Sequence, residues 1–204
     1  MTMAVTGDPV VLASQSSARR RMLEAAGVAI IVAPAGIDET SLKTLAQQRG
    51  DTVERAAEML ALAKSVAGGR AHPNRLVVGS DQMLECEGRW YDKPRDLGQA
   101  RDQLRALSGR THRLVSAVAV TRGGAPLWRH TDAARLTVRR LGDEFLDRYL
   151  AAVGDAALAS VGAYQLEGLG AQLFDAVEGD YFTVLGMPLL PLLGFLRGEG
   201  VLAA

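Results

Sequence analysis

The stretch from Leu76 to Asp96, LVVGSDQMLECEGRWYDKPRD, constrains this chain more than any other segment. An apolar run ends in Gly-Ser-Asp at Asp81, and a second short stretch leads through Gly88 to Lys93. This pattern predicts a buried strand that delivers Asp81 at its carboxyl end, then a return that brings Lys93 back towards it. Ligand sites of open α/β sheets lie at the carboxyl ends of strands, so this acid and lysine can gather a metal and a phosphate chain. A hairpin with a solvated aspartate and lysine would explain the same pattern.

The composition favours a globular domain with a small ligand over a protein that binds a nucleic-acid polymer. The chain has 204 residues, of which 48% are hydrophobic and 23% are charged, enough for a core that needs no disulfide or metal. The formal net charge is zero and the pI is near 6.8, whereas binders of nucleic-acid polymers usually carry a basic patch. We predict a flexible leader over residues 1–8 and one α/β domain over residues 9–200.

Several other classes of protein find no support in the sequence. Cys86 is the only cysteine, which excludes an internal disulfide and a multi-cysteine zinc site. The three histidines have no partner at metal-ligand spacing, and neither a P-loop nor a dinucleotide-binding motif occurs. The N-terminus has no basic region before its apolar residues, and no uninterrupted apolar run reaches ~18 residues. We therefore expect a cytoplasmic protein with no membrane partner.

A candidate anion site follows the first apolar run. Residues 9–13 predict a strand, and a serine-rich turn leads into a helix that ends near Gly27. Ser14 and Ser16 lie at the start of this helix, where free backbone N–H groups and hydroxyls bind anions. Arg19 and the two arginines after it lie where the helix dipole disfavours cations. A bound anion would explain why they occur there. Alternatively, the serines only cap the helix and the arginines are solvated.

The rest of the chain alternates between strand-like and helix-like segments, which predicts a mixed α/β fold of three layers. Glu39 lies in a predicted turn, residues 36–40, where it is either a metal ligand or a loop acid beside a helix start. Lys64 ends a predicted helix, and Glu167 lies in a glycine-rich stretch that permits close backbone approach to a ligand. The predicted strands are 28–34, 113–121, 127–139 (one or two) and 171–177, and the predicted helices are 53–66, 98–107, 143–153 and one that ends near residue 197.

The polar positions that remain combine hard oxygen ligands with cations. Glu39 and Asp81 offer the carboxylate oxygens that suit Mg²⁺ or Mn²⁺ bridging phosphates. Lys64 and Lys93 add positive charge from other elements. This set suits nucleophilic attack by water on a nucleoside triphosphate.

Taken together, these residues resemble the Maf family of nucleotide pyrophosphatases. The matching motifs run in order from residue 12 to about residue 197, and the ordered series is far more specific than any one motif. They are L-A-S-x-S with a following arginine (Leu12 to Arg19), D-E (Asp38-Glu39), L-A-x-x-K (Leu60 to Lys64), G-S-D (Gly79 to Asp81), K-P (Lys93-Pro94), L-S-G-x-x-H (Leu107 to His112) and G-M-P-L (Gly186 to Leu189).

The resemblance implies a fold, a reaction and a set of roles. Family members have an elongated mixed sheet flanked by helices, related to inosine triphosphate pyrophosphatases, with two lobes around a central cleft, and they form homodimers. They cleave a nucleoside triphosphate between the α- and β-phosphates with a divalent metal. By resemblance Asp81 activates water and binds the metal with Glu39. The phosphate-binding residues implied are Ser14, Ser16, Arg19, Lys64 and Lys93.

Three positions bear on the choice of nucleotide. Ala18, Gln82 and Glu167 replace the Arg, Thr and Gln of the branch that cleaves dTTP and UTP. Gln82 and Glu167 resemble the branch acting on 7-methyl-GTP, although that branch usually carries Trp at the Ala18 position and Pro at the Ser17 position. We expect a preference for 7-methyl-GTP or another modified nucleotide. A dTTP/UTP pyrophosphatase and a nucleotide-binding regulatory protein that lacks turnover are the alternatives.

Overall fold

The computed structural model describes residues 7–203, which form a mixed α/β fold. Seven strands of this part of the chain form one sheet in the order β2-β1-β3-β5-β6-β7, with β4 paired to β3. The strands are β1 (Val10–Leu12), β2 (Ile30–Val32), β3 (Val77–Cys86), β4 (Arg89–Tyr91), β5 (Thr111–Arg122), β6 (Ala125–Val138) and β7 (Phe174–Glu178).

Among the same residues, seven α-helices flank the sheet, and three 3₁₀ segments lie between β6 and β7 along the chain. The helices are α1 (Ser17–Ala25), α2 (Glu39–Gln48), α3 (Val53–Gly69), α4 (Leu97–Leu107), α5 (Asp143–Val153), α6 (Tyr181–Val184) and α7 (Leu189–Gly198). The 3₁₀ segments are Gly154–Ala159, Val161–Ala163 and Leu169–Leu173. Within residues 7–203, no helix is both long and apolar enough to cross a membrane.

The sheet is mixed, which confirms the predicted fold class. β1 pairs in parallel with both β2 and β3, as expected where helices connect neighbouring strands. β3 and β4 form an antiparallel hairpin, and β6 pairs antiparallel with β7. β1 is buried along its whole length, so its apolar, β-branched sequence needs no polar alternation.

The chain forms two compact units. The first contains the chain up to Asp81, then Ser116–Asp132, then the chain from Gly186 onward. The second contains Gln82–Val115 and Ala133–Leu185. In the first unit, a buried cluster is formed by Val11 of β1, Ala13 directly after that strand and Val77 of β3. The second unit has a larger core to which β3, α4, β5, β6 and α5 contribute.

The predicted leader, residues 1–8, lies mostly outside the described residues, which begin at Gly7. A β-carbon added at Gly7 would come within 2.8 Å of the Cα of Val201 and 2.9 Å of the carbonyl oxygen of Gly200. Gly7 therefore lies against the backbone that follows α7, and only glycine fits there without a shift.

Three local predictions were wrong. Asp81 lies inside β3 and not at its carboxyl end, because β3 continues past its short parallel partner β1 and pairs with β4. Glu39 lies in α2 and not in the predicted turn. The helix start expected beside it is confirmed, and Asp38 caps it by accepting from the backbone N–H of Ser41 at 3.0 Å. Residues 171–173 belong to a 3₁₀ turn, and β7 begins only at Phe174.

Candidate active site

Small residues bring α3 against the sheet. A β-carbon at Gly79 of β3 would overlap the carbonyl oxygen of Ala61 and lie 2.5 Å from the backbone nitrogen of Ser65. A β-carbon at Gly68 of α3 would come within 2.6 Å of the β-carbon of Ala13. The helix backbone thus lies directly on the strands, and this close approach brings Lys64 to the part of β3 that carries Asp81.

Lys64 joins two carboxylates from different elements. Its Nζ lies 2.6 Å from Oδ1 of Asp81 on β3 and 2.9 Å from Oε1 of Glu39 at the start of α2. The side chains of Lys64 and Asp81 are 10% and 6% exposed, whereas that of Glu39 is 45% exposed. The Lys64–Asp81 pair is therefore shielded from water, and Glu39 forms its solvent-facing side. Charges held in such a place interact more strongly than they would on the surface.

The second carboxylate oxygen of Asp81 is buried and makes no hydrogen bond within the described part of the chain. An unpaired buried oxygen on an ionised group is costly, and a water molecule or a cation would satisfy it. The donor set fits a hard divalent cation, because Asp81 and Glu39 both offer carboxylate oxygens. Residues 7–203 contain no group of three or more His, Cys, Asp or Glu side chains arranged to hold a metal. A cation here would therefore take further ligands from water or a substrate, as Mg²⁺ commonly does.

The charge of Glu39 depends on its cationic neighbours. Burial alone would raise the pKa of this carboxyl, but attraction to Lys64 and the hydrogen bond from it outweigh that effect. Lys43 and Arg19 add weaker attraction, and the pKa of Glu39 falls below its ordinary value. Glu39 is therefore ionised at neutral pH and available to a cation.

The N-terminus of α1 carries the predicted serines and Arg19. Ser16 is the N-cap and accepts from the backbone N–H of Arg19 at 3.3 Å. The Oγ of Ser14 accepts from the backbone N–H of Ser16 at 3.2 Å and from Nη1 of Arg19 at 3.3 Å. The capping interpretation is therefore confirmed for Ser16. It does not exclude phosphate binding, since a hydroxyl that accepts a hydrogen bond can still donate its own O–H.

Only one of the three clustered arginines is buried. Arg19 is 8% exposed, whereas Arg20 is exposed and pairs with Glu24 one turn along at 2.8 Å. Arg21 is exposed as well. Burial lowers the pKa of the Arg19 guanidinium from its ordinary value, and the charges of Asp81 and Glu39 oppose that shift. A guanidinium remains protonated in proteins even so, and Arg19 is thus a desolvated cation on the same side of the unit as the two carboxylates.

Gly186, the first residue of the G-M-P-L motif, has contacts at this place that were not predicted from the sequence. Its carbonyl oxygen accepts from Nε of Arg19 at 2.8 Å and from Oγ of Ser80 at 3.0 Å. Gly186 has a φ of 106°, which glycine adopts far more readily than any other residue. The glycine of the G-M-P-L motif therefore lets the chain turn one carbonyl towards both Arg19 and Ser80 of β3. The glycine before Met-Pro was the available signal, but its two partners are 167 and 106 residues away along the chain.

Three further predicted site residues, Gln82, Lys93 and Glu167, belong to the second unit. In the β3–β4 hairpin, Leu84 pairs with Tyr91. When this register is extended by two residues beyond the end of β4, Lys93 lies opposite Gln82. Gln82 donates from its amide nitrogen to the carbonyl oxygens of Thr183 at 3.1 Å and Val184 at 2.9 Å. Both N–H groups of this amide thus hold α6 to β3.

Glu167 and Ala18 have contrasting settings. Glu167 is exposed in the turn that precedes the 3₁₀ segment Leu169–Leu173, and the backbone N–H of Gly168 donates to the carbonyl of Gln165 at 3.2 Å. Ala18 is half-buried in the first turn of α1, in the first unit. Its methyl group leaves that turn without the aromatic or cationic side chain that a larger residue would supply.

The fold is that of an α/β protein with helices around a mixed sheet, and its candidate site contains a carboxylate–lysine pair and a buried arginine. The fold is similar to that of the Staphylococcus aureus Ham1 protein, at 14% sequence identity and a TM-score of 0.50, over 94% of this chain and all of that one. The family model described as "Maf-like protein" matches residues 9–199, and the chain belongs to this family.

Curated relatives extend over nearly the whole chain. A protein of Paramagnetospirillum magneticum named "Nucleoside triphosphate pyrophosphatase" is 53% identical over 191 residues, which are 94% of this chain and 98% of that protein. A Rhizobium etli protein named "7-methyl-GTP pyrophosphatase" is 48% identical over 193 residues, 95% of this chain and 97% of that one. The predicted family is confirmed, and so is the prediction that the chain is an enzyme of the hydrolase class.

Proposed function

We propose that this protein hydrolyses a nucleoside triphosphate to the monophosphate and pyrophosphate. The observation that carries the proposal is the shielded Lys64–Asp81 pair, in which Asp81 keeps one buried oxygen without a partner in the described chain. The buried guanidinium of Arg19 and the hydroxyls of Ser14 and Ser16 supply cationic and donor groups for phosphate oxygens. The names of the relatives support the same reaction.

In this proposal, Asp81 is the general base. A water oxygen attacks the α-phosphorus, its proton passes to the Asp81 carboxylate, and the bond from the α-phosphorus to the bridging oxygen breaks. The electron pair leaves with pyrophosphate, and Arg19, Lys64 and Lys93 stabilise the charge on the phosphate chain. Lys64 holds Asp81 in place before the substrate arrives, since the two groups are already 2.6 Å apart.

We further propose that Glu39 and Asp81 hold a divalent metal, Mg²⁺ or Mn²⁺. When bound, such an ion neutralises phosphate charge and polarises phosphoryl oxygens. Glu39 and Asp81 balance the charges of Arg19 and Lys64, and Lys43 adds one more cation near Glu39, so the net positive charge at this place is small. A polyanionic triphosphate therefore needs positive charge from elsewhere, and a metal with Lys93 would provide it.

For the base, we propose that Glu167 is the main specificity residue. An exposed carboxylate can accept hydrogen bonds from the N1–H and N2–H₂ groups of guanine and attract a cationic methylated ring, which favours 7-methyl-GTP over dTTP and UTP. Gln82 contributes by holding α6, because its amide N–H groups are bonded to backbone carbonyls. Ala18 leaves no aromatic ring for stacking, an interaction worth about 1–3 kcal/mol per base, so we expect modest selectivity.

The family resemblance also supports a homodimer. Light scattering of the purified protein at several concentrations tests this, with a mass near twice 21.7 kDa expected. A mass that stays at that of one chain would contradict it.

The reaction is tested by incubating the native protein with 7-methyl-GTP, GTP, UTP and dTTP in the presence of Mg²⁺ or Mn²⁺. Pyrophosphate and the monophosphate are the expected products, and release of orthophosphate alone would reject the proposal. Asp81→Asn should lower kcat by ~10²-fold or more, as removal of a general base does. Asp175→Asn, an exposed acid on β7, is the matched control and should keep native kcat.

The same panel separates the enzyme from a regulatory module that only binds nucleotides. That module predicts heat of binding in calorimetry with no turnover of any triphosphate. Full activity in Asp81→Asn would instead show that another group takes the proton.

A further inference from the structure

A buried hydrogen bond joins His112 on β5 to Tyr164, which follows the 3₁₀ segment Val161–Ala163. The His112 Nε2 and Tyr164 hydroxyl lie 2.6 Å apart, and the two residues are 1% and 5% exposed. The ring of Phe174 packs edge-on against Tyr164 at 4.8 Å between centroids and lies 6.0 Å from the His112 ring. The tyrosine ring and hydroxyl are therefore fixed at one place in the core of the second unit.

The chain around Tyr164 is wound into an uncommon conformation. Gly162 has a φ of 78°, and a β-carbon there would come within 2.6 Å of the Tyr164 ring and 2.7 Å of Leu84. Ala163 has a φ of 61°, a left-handed conformation that is strained for a residue with a β-carbon. The hydroxyl of Tyr149 donates to the carbonyl of Ala163 at 3.1 Å and holds this turn from the other side.

The segment after Tyr164 is held closely as well. A β-carbon at Gly170 would overlap the carbonyl oxygen of Gln165 and lie 2.9 Å from its nitrogen, so the chain from Gln165 to Gly170 closes on itself. Glu167 lies within this closed turn, three residues beyond Tyr164. The backbone that carries its carboxylate is therefore part of a turn that begins directly after Tyr164.

Stability alone does not explain this arrangement. Nδ1 of His112 is buried and has no hydrogen-bond partner within the described residues, and an orphaned buried polar atom lowers the stability of the fold. An apolar pair of the same shape in place of His112 and Tyr164 would bury no polar group and would avoid that cost. Backbone strain and unsatisfied groups of this kind gather where a function requires a fixed geometry.

We propose that Tyr164 and His112 are positioning residues for base selection. Their hydrogen bond fixes the turn from Gln165 to Gly170 and so fixes the carboxylate of Glu167 relative to the core. This inference rests on the proposed function, because it explains the preference of the same enzyme for 7-methyl-GTP. It does not give either residue contact with the reacting phosphates.

The experiment compares kcat/KM for 7-methyl-GTP and UTP in three variants and the native protein. Tyr164→Phe removes the hydroxyl and should reduce the preference for 7-methyl-GTP by about tenfold, as the loss of a specificity contact does. It should also lower the free energy of unfolding, because His112 loses its partner. Cys86→Ala, in the same core, removes neither partner of the His112–Tyr164 hydrogen bond. It is the control and should keep the native preference.

The double variant His112→Leu/Tyr164→Phe distinguishes positioning from stability. Replacing both partners by apolar groups can be nearly neutral for folding, so thermal unfolding should recover towards the native midpoint. The preference for 7-methyl-GTP should stay reduced, and its return together with stability would overturn the inference. The inference would also be overturned if Tyr164→Phe kept the native preference for 7-methyl-GTP, or if the native protein showed no preference. Neither result would contradict the proposed hydrolysis of a nucleoside triphosphate. Absence of turnover of every triphosphate would overturn the proposed function and this inference together.

Discussion

Arg19 and Arg20 are neighbours in the sequence, yet only the first is built into the site. Arg19 donates to the carbonyl of Gly186 and the hydroxyl of Ser14, while Arg20 forms an exposed pair with Glu24. The sequence predicts a cluster of arginines at a helix start, because that pattern is local. It does not predict which arginine is buried, because burial depends on Gly186, which is 167 residues away.

Arg19→Lys should therefore reduce kcat/KM for the preferred triphosphate by at least tenfold, about 1.4 kcal/mol of transition-state stabilisation. A lysine keeps the charge but cannot donate at once towards Gly186 and Ser14 with a planar fork. Steady-state kinetics of the purified variant measure the effect. Arg20→Lys is the matched control and should keep native kcat/KM. Unchanged kcat/KM in Arg19→Lys would show that Arg19 acts only through its charge.

His112 predicts a pH dependence of stability. Burial lowers its pKa from 6.5 to about 4, so the folded protein keeps this ring neutral where the unfolded chain protonates it. Between these two values the unfolded state binds more protons, and the free energy of unfolding therefore falls as the pH falls from 6.5 to about 4. The slope is about 1.4 kcal/mol per pH unit, or roughly 3 kcal/mol across the window.

Urea unfolding at a series of pH values measures this contribution as a difference between the native protein and His112→Leu. The variant should lose the part of the slope that lies between pH 6.5 and 4. Thr111→Val, the preceding position on β5, adds no titrating group and should keep the native slope. A native slope in His112→Leu would show that other groups cause it.

At the scale of elements, the parts that sequence patterns describe well are those fixed by local periodicity and capping. The predicted helix 143–153 has the bounds of α5, because an apolar stripe lies between two glycines. The extent of α2 was not predicted, because seven of its ten residues are polar and only Ala46 is buried. Residues 171–173 looked like a strand, but Gly170 closes a tight turn that draws them into a 3₁₀ segment.

The contact of α3 with β3 gives a prediction at this scale. Gly79→Ala should push α3 from the sheet, because its β-carbon would overlap the backbone of Ala61 and Ser65. Overpacking of this kind costs about 1–3 kcal/mol and should lower both the unfolding midpoint and kcat, since Lys64 is carried by α3. Gly36→Ala is the control and should change neither quantity, because no atom lies within 4 Å of the place that its new β-carbon would take. Native activity in Gly79→Ala would show that Lys64 reaches Asp81 without this close packing.

For the whole molecule, the candidate site was predicted as a list of residue types, and its geometry depended on the fold. Ser14, Arg19, Glu39, Lys64 and Asp81 were all named from the sequence, and the first unit brings them together through α1, α2, α3 and β3. Their mutual distances follow from Gly79 and Gly186, whose partners are remote in sequence. Tertiary packing of this kind leaves no periodic signal in the chain.

The small net charge of this site predicts a metal requirement. Removal of divalent cations with EDTA should abolish pyrophosphate release, and added Mg²⁺ or Mn²⁺ should restore it. Glu39→Gln should raise the metal concentration that gives half-maximal rate, because one of the two carboxylates is lost. Glu24→Gln, which changes an exposed acid of α1, is the control and should not shift that concentration. Full turnover in EDTA would reject the metal.

The most direct measurement follows the products of 7-methyl-GTP and UTP with Mg²⁺, in the native protein and in Asp81→Asn. We expect the monophosphate and pyrophosphate in equal amounts from the native protein, a higher kcat/KM for 7-methyl-GTP, and at least ~10²-fold slower turnover in the variant. Orthophosphate as the only inorganic product, or undiminished turnover in Asp81→Asn, would contradict a pyrophosphatase that uses Asp81 as its base.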